Sequence, residues 1–96
     1  MSRQLHTHQY NGVSSVNDGH THMYSGISSP NTNTPGHTHT IAGYTTMNNG
    51  HVHYYVIRTG TEVEFDGGHY HFYSGNTWLA NRHVHFLSGN TSLYRE

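Results

Sequence analysis

Residues 19–29 read Gly19-His20-Thr21-His22-Met23-Tyr24-Ser25-Gly26-Ile27-Ser28-Ser29. Taken by twos, His20, His22, Tyr24, Gly26 and Ser28 fall on one side, and Thr21, Met23, Ser25 and Ile27 on the other. Only an extended chain puts residues i and i+2 on a common face; in a helix they point well apart. Two imidazoles can therefore aim at one point from a strand. The segment predicts a strand that carries two ligand nitrogens followed by one bulky apolar group.

The same pattern recurs along the chain. All twelve histidines belong to His-x-His pairs: His6/His8, His20/His22, His37/His39, His51/His53, His69/His71 and His83/His85. Five pairs open the longer motif His-x-His-x-x-x-Gly-x-Ser/Thr, as HTHQYNGVS, HTHMYSGIS, HTHTIAGYT, HYHFYSGNT and HVHFLSGNT. The fourth unit, HVHYYVIRTGTEVEFD, departs from it, because Gly60 arrives three residues late and a charged stretch follows. Its loop or strand length is expected to differ. The position two after the second histidine is always apolar: Tyr10, Tyr24, Ile41, Tyr55, Tyr73 and Leu87. These six are the expected core, beside a histidine layer. From pair to pair the steps are 14, 17, 14, 18 and 14 residues, which gives a larger period of 31 to 32 residues, present three times. A fixed period of this kind indicates repeats too small to fold alone. We read one domain, residues 1–96, made of six units at about 5–15, 19–29, 36–46, 50–66, 68–78 and 82–92.

Composition agrees with an all-β class. The segments are rich in Tyr, Thr, Val, Phe and Ile, with turn residues every 14 to 18 positions and no helical periodicity. Asp18-Gly19, Pro35-Gly36, Asn49-Gly50 and Gly67-Gly68 are the expected turn dipeptides. Residues 28–35 (SSPNTNTP) read as an exposed loop, and Tyr54–Arg58 with Thr61–Phe65 as a hairpin turning at Thr59-Gly60. The glycine inside each motif marks a bend or a close approach of backbones.

With 96 residues, 31% hydrophobic and 9% charged, the chain buries little apolar surface, so something besides a large core must hold it together. No cysteine is present, which rules out disulfides, thiolate zinc sites and iron–sulfur clusters. The net charge of −1 argues against a nucleic-acid surface. The polar opening MSRQLHTHQY lacks the features of a secretory leader, and no apolar run approaches membrane-spanning length.

Neutral imidazole suits Fe, Zn, Ni or Cu better than Mg or Ca. Six pairs allow three tetrahedral or two octahedral sites per chain, or sites shared between chains; the threefold repeat of a two-pair unit favours the octahedral count. Asp66 is the acid that could orient a nearby imidazole.

The motif, with Gly before the pair, resembles the YmaF family of small histidine-rich repeat proteins. GHTHMYSGIS, GHTHTIAGYT, GHYHFYSGNT and RHVHFLSGNT carry the likeness, which implies no particular activity. A more local similarity, in GHTHT and GHYHF, is to the tips of phage tail fibres, where His-x-His motifs from a trimer line up iron ions octahedrally. This chain departs from them by repeating the pairs at alternating steps.

The expected function is structural: transition-metal ions coordinated by all twelve histidines replace a large core. The alternative is metal storage or buffering with exchangeable sites. An enzyme needs one asymmetric pocket with an open coordination position, and six near-identical motifs offer the reverse, so no catalytic residue is assigned. Haem attachment lacks its C-x-x-C-H motif. Few charges and open strand edges favour self-association into a homo-oligomer or filament, with no nucleic acid or membrane partner. A filament would belong outside the cell, on a spore or on a virion; a storage protein would belong in the cytoplasm.

Overall fold

The period of 31 to 32 residues becomes three copies of one antiparallel hairpin. The computed structural model describes residues 2–17, 19–47, 50–80 and 82–95. Among them are ten strands and no helix: β1 (Ser2–His6), β2 (Gln9–Val13), β3 (Met23–Ile27), β4 (Asn31–Asn33), β5 (Thr40–Tyr44), β6 (Tyr54–Arg58), β7 (Glu62–Phe65), β8 (Gly68–Asn76), β9 (Phe86–Asn90) and β10 (Tyr94–Arg95). The repeated hairpins are β2–β3, β5–β6 and β8–β9. Their registers are equivalent: Tyr10 faces Gly26, Ile41 faces Ile57 and Tyr73 faces Gly89.

The hairpins close into a ring, with β3 lying against β5, β6 against β8, and β9 against β2. One backbone hydrogen bond at each end joins each neighbouring pair. At one end Ser29 N donates to Thr40 O, Gly60 N to Phe72 O, and Ser92 N to Gln9 O, all at 2.8 Å. At the other, Ser15 N donates to Phe86 O, Thr46 N to Met23 O, and Trp78 N to Tyr54 O. Hairpin edges that the sequence reading left open thus face one another within the chain. The result is a rod of 45 × 20 × 17 Å.

The buried apolar core sits midway along the rod and consists of the six expected residues, Tyr10, Tyr24, Ile41, Tyr55, Tyr73 and Leu87, together with Ile57. Hydroxyl pairs Tyr10–Tyr55 and Tyr24–Tyr73, each at 2.9 Å, join different hairpins. Burial first, and then these hydrogen bonds, push the Tyr55 and Tyr73 phenols far up from their ordinary range.

The motif glycine admits a side chain, where the sequence suggested a backbone. A Cβ on Gly26 would lie 2.6 Å from the Tyr10 hydroxyl, and one on Gly89 would lie 2.7 Å from that of Tyr73. Each tyrosine ring therefore lies across the glycine opposite it. The fourth unit is explained by the same contact. Ile41 stands where the other two repeats have tyrosine, does not reach across, and so tolerates Ile57 opposite it. Strand β6 keeps the common length and register, with Ile57 in place of glycine; the expected difference falls on the segment after it, which takes 18 residues from His51 to His69 against 17 from His20 to His37 and carries β7.

Three further expectations change. Tyr54–Arg58 pairs with β5 and Glu62–Phe65 pairs with β8, so no hairpin turns at Thr59-Gly60. The β7–β8 turn is at Asp66-Gly67, where φ values of 48° and 78° give the left-handed geometry of a tight two-residue hairpin. Residues 28–35 are not simply an exposed loop, because Asn31–Asn33 forms β4 against β1. Gly19, Gly36 and Gly50 take the positive φ expected of their turns, each at 79°, but at Gly67-Gly68 the positive φ belongs to Gly67. Asp18 and Asn49 lie outside the described residues.

Candidate metal centres

A hairpin reverses the chain, so successive His-x-His pairs land at opposite ends of the rod. First pairs of the three repeats meet at one end: His6, His8, His37, His39, His69 and His71. Second pairs meet at the other: His20, His22, His51, His83 and His85, with His53 Nε2 3.3 Å from His83 Nε2. His8 lies level with Ser28, and Ser14 level with His22. The six steps from His8 to Ser14 therefore span the rod between the layers, roughly 20 Å at about 3.3 Å per residue. All twelve histidines are gathered, and none is left outside the two groups.

Most pairs sit just ahead of the ladders and not within them. Strands β2, β3, β5, β6 and β9 begin one residue after the second histidine; among the described residues only His6, at the end of β1, and His69 and His71, in β8, lie inside a strand. The Ser/Thr at the end of the motif holds the extended geometry. His8 N donates to Ser28 Oγ, His22 N to Ser14 Oγ, His39 N to Thr59 Oγ1, His53 N to Thr45 Oγ1, His71 N to Thr91 Oγ1 and His85 N to Thr77 Oγ1, at 2.9–3.0 Å. Each of these residues also donates its own N–H back to the carbonyl of the same histidine.

The carbonyl of the next residue then orients an imidazole of the adjacent hairpin. His8 Nδ1 donates to Ser92 O, His22 to Thr46 O, His39 to Ser29 O, His53 to Trp78 O, His71 to Gly60 O and His85 to Ser15 O, at 2.7–3.0 Å. A carbonyl can only accept, so Nδ1 carries the hydrogen and Nε2 is left with its lone pair. A carbonyl behind a ligating histidine fixes tautomer and ring direction in this way. His37 is fixed likewise by Thr34 O at 2.8 Å.

The Nε2 atoms of each group converge. In the first group, Nε2 atoms of His6 and His69, His37 and His69, His39 and His6, and His71 and His37 are 3.2 Å apart. In the second group the corresponding separations are 3.1–3.3 Å. For His37 and His71 the contact cannot be a hydrogen bond, since both hydrogens are on Nδ1 and committed to carbonyls. His8 Nε2 is buried and has no partner.

The ring packing gives the figure that these nitrogens make. Every imidazole meets all the others of its group edge-on, with centroids 4.6–5.2 Å apart, except one. The pairs that miss each other are His6/His71, His8/His37 and His39/His69, and in the second group His20/His53, His22/His83 and His51/His85. That adjacency is an octahedron's, in which each vertex has one opposite. An edge of 3.2 Å divided by √2 puts the centre about 2.3 Å from each nitrogen, slightly beyond the ~2.0–2.1 Å of four-coordinate Zn–N.

The surroundings differ. In the first group every histidine is buried, at 5% exposure or less; we call it the closed cluster. Tyr94 stacks on His6 at 4.4 Å, and its strand β10 pairs with β8 at His69. Glu62 Oε1 lies 3.6 Å from His37 Nδ1 while its carboxylate accepts from Gly36 N. Burial alone would raise the Glu62 pKa, but the Gly36 N–H and the neighbouring imidazoles bring it below its ordinary value. The acid beside an imidazole is thus Glu62. Asp66, the expected one, pairs with Arg95 at 2.8 Å. In the second, open cluster His22, His53 and His85 are buried, but His20, His51 and His83 are only half-buried.

Burial, and then the charges of neighbouring rings, hold His6 at a pKa of about 4. Burial likewise lowers His8 and His71 to about 4, against the opposing pull of their carbonyl partners. His22, His39, His53 and His85 are lowered for the same reason. Neutral imidazoles with inward lone pairs form a donor set for a metal ion, and both groups could hold one.

Glu62, Tyr94 and the ring of carbonyls were not visible in the sequence. The Ser/Thr at the motif's end was the only signal, because the residue that follows it acts through its backbone and can be of any type.

A family model described as YmaF, spore germination protein GerY/YamF, matches residues 1–61. The match covers more than half of the chain, which therefore belongs to this family. No curated protein and no solved structure matches it.

Proposed function

We propose that this YmaF-family chain is a structural metalloprotein, in which two ions, each held by six imidazoles, staple the ends of a three-hairpin ring. The observation that supports it most is the meeting of His37 and His71, whose Nε2 lone pairs face each other at 3.2 Å with both Nδ1 hydrogens committed elsewhere. Two lone pairs repel unless a cation lies between them. Among iron, zinc, nickel and copper, six nitrogens in an octahedron favour iron or nickel, since zinc in structural sites prefers four ligands and copper(II) a tetragonal set.

A saturated octahedron leaves no position for substrate or water, which supports a structural role over a catalytic one. Every ligand comes from one chain, so metal binding needs no second copy. Self-association would use the outer faces, where Val16, Met47 and Leu79 stand exposed at equivalent positions of the three repeats. The family's description suggests the spore as the setting.

The test is chelation at neutral pH, followed by circular dichroism and elemental analysis together. Loss of β-signal is expected by the time the last metal has gone, because metal binding energy in such small domains is folding energy. Structure that survives unchanged after all metal has gone would make the ions cargo, and the storage reading would replace this one.

A further inference from the structure

We infer that the open cluster is an exchange site for a divalent first-row transition ion, while the closed cluster keeps its ion for the life of the fold. The inference rests on reading both groups as six-imidazole centres.

An ion leaves such a centre only if an imidazole swings away and another ligand enters. At the closed cluster both moves are blocked. All six rings are buried, Tyr94 is stacked on His6, and Thr34 O and Glu62 stand behind His37. Swinging His69 would disrupt the pairing of β10 with β8.

At the open cluster the outer three histidines are the less covered ones. His20, His51 and His83 are half-buried, and each follows an exposed turn residue with left-handed φ: Gly19 at 79°, Gly50 at 79° and Arg82 at 69°. His20 and His83 lie outside the ladders, joined to Asn17 and Ala80 by isolated bridges. Displacing these three leaves the core and the ladders untouched. The inner three, His22, His53 and His85, are fully buried and stay fixed by their Ser/Thr and carbonyl partners. What remains is one triangular face of three oriented nitrogens, opposite three positions that an incoming chelator or donor side chain can occupy. The design gives a preformed half-site that accepts and returns an ion without unfolding, and so a route for metal delivery or sensing at one end of the rod.

The experiment loads the full chain with nickel(II), challenges it with EDTA at neutral pH, and follows bound nickel and circular dichroism in time. We expect two phases, the first ion leaving about tenfold faster or more, with β-signal retained through that step. His83→Ala should accelerate the fast phase alone, and Tyr94→Ala the slow phase alone. Two ions lost in one phase, or a fast phase that responds to Tyr94→Ala and not to His83→Ala, would overturn the exchange site and leave the structural reading standing. A chain that takes up no nickel or iron would remove both.

Discussion

The closed and open clusters carry the same six-imidazole pattern with nearly the same nitrogen separations, yet one is sealed and the other is half in solvent. The difference lies in what surrounds the repeat. Everything that sets ligand direction (the His-x-His pair, the Ser/Thr anchor, the carbonyl acceptor) occurs in all three repeats at both ends. Everything that seals the closed cluster (β1 with β4, Glu62 on β7, Tyr94 on β10) occurs once and lies outside the repeated hairpins. Coordination geometry is thus a property of the repeat, and access to the ion is a property of the additions.

Ligand removal should give the largest contrast. His37→Ala with His39→Ala should abolish one bound ion and cost several kcal/mol, given about 10–16 kcal/mol for structural zinc in small peptides. His51→Ala with His53→Ala should abolish the other ion with a smaller fall in melting temperature, since that end is less covered. Equal shifts, read by thermal melting and metal content, would show that the cover contributes nothing to stability.

Acid should separate the two ends next. Burial lowers His6, His8 and His71 in the fold to a pKa of about 4, from the ordinary imidazole value of 6.5. Between these values the unfolded chain binds protons that the folded chain does not, so stability falls as pH drops from about 6.5 towards 4. Bound metal, which requires neutral imidazole, acts in the same direction. A titration followed by metal release should show the open cluster emptying first, with β-structure lost at lower pH. A fold equally stable at pH 4 and pH 7 would contradict the buried neutral histidines.

The middle of the rod should favour neither end. Gly26→Ala would drive a methyl into the Tyr10 ring and should cost about 1–3 kcal/mol without changing metal stoichiometry. Adding Tyr10→Ile should recover part of that loss, because Ile41 and Ile57 already form this alternative pair. Additive losses in denaturant melts would mean the Tyr–Gly contact is not what fixes the glycine.

Arg82 gives the smallest effect. It holds φ at 69° where Gly19 and Gly50 serve the other repeats. Arg82→Gly should stabilise the open end by up to about 1 kcal/mol, by relieving left-handed strain. A lower melting temperature would instead assign the Arg82 side chain a stabilising role.

How much of this was legible follows the same division. The alternation around His20 and His22, the apolar position at Tyr10 and its equivalents, and the long period were enough to give an all-β chain and its core, but left two groups of six open against three of four or sites shared between chains. The hairpin order was misread at Thr59-Gly60 because Ile57 hid the fourth motif. Its cause is a compensation across strands with Ile41, which local spacing cannot show. Strand β4 was missed because Asn is a weak strand former, two prolines flank the segment, and its pairing with β1 is long-range. Glu62 and Tyr94 were invisible for the same reason: neither belongs to a motif, and only the fold brings them to a histidine.

The central claim is that each cluster presents six nitrogens to one ion. Elemental analysis of the purified chain with X-ray absorption at the edge of the metal found tests it most directly. The account predicts two ions per chain, each with a shell of six nitrogens at about 2.2–2.3 Å, as the octahedral edge of 3.2 Å requires. A four-ligand shell, a shell containing oxygen at both sites, or a folded chain with no bound metal would contradict it.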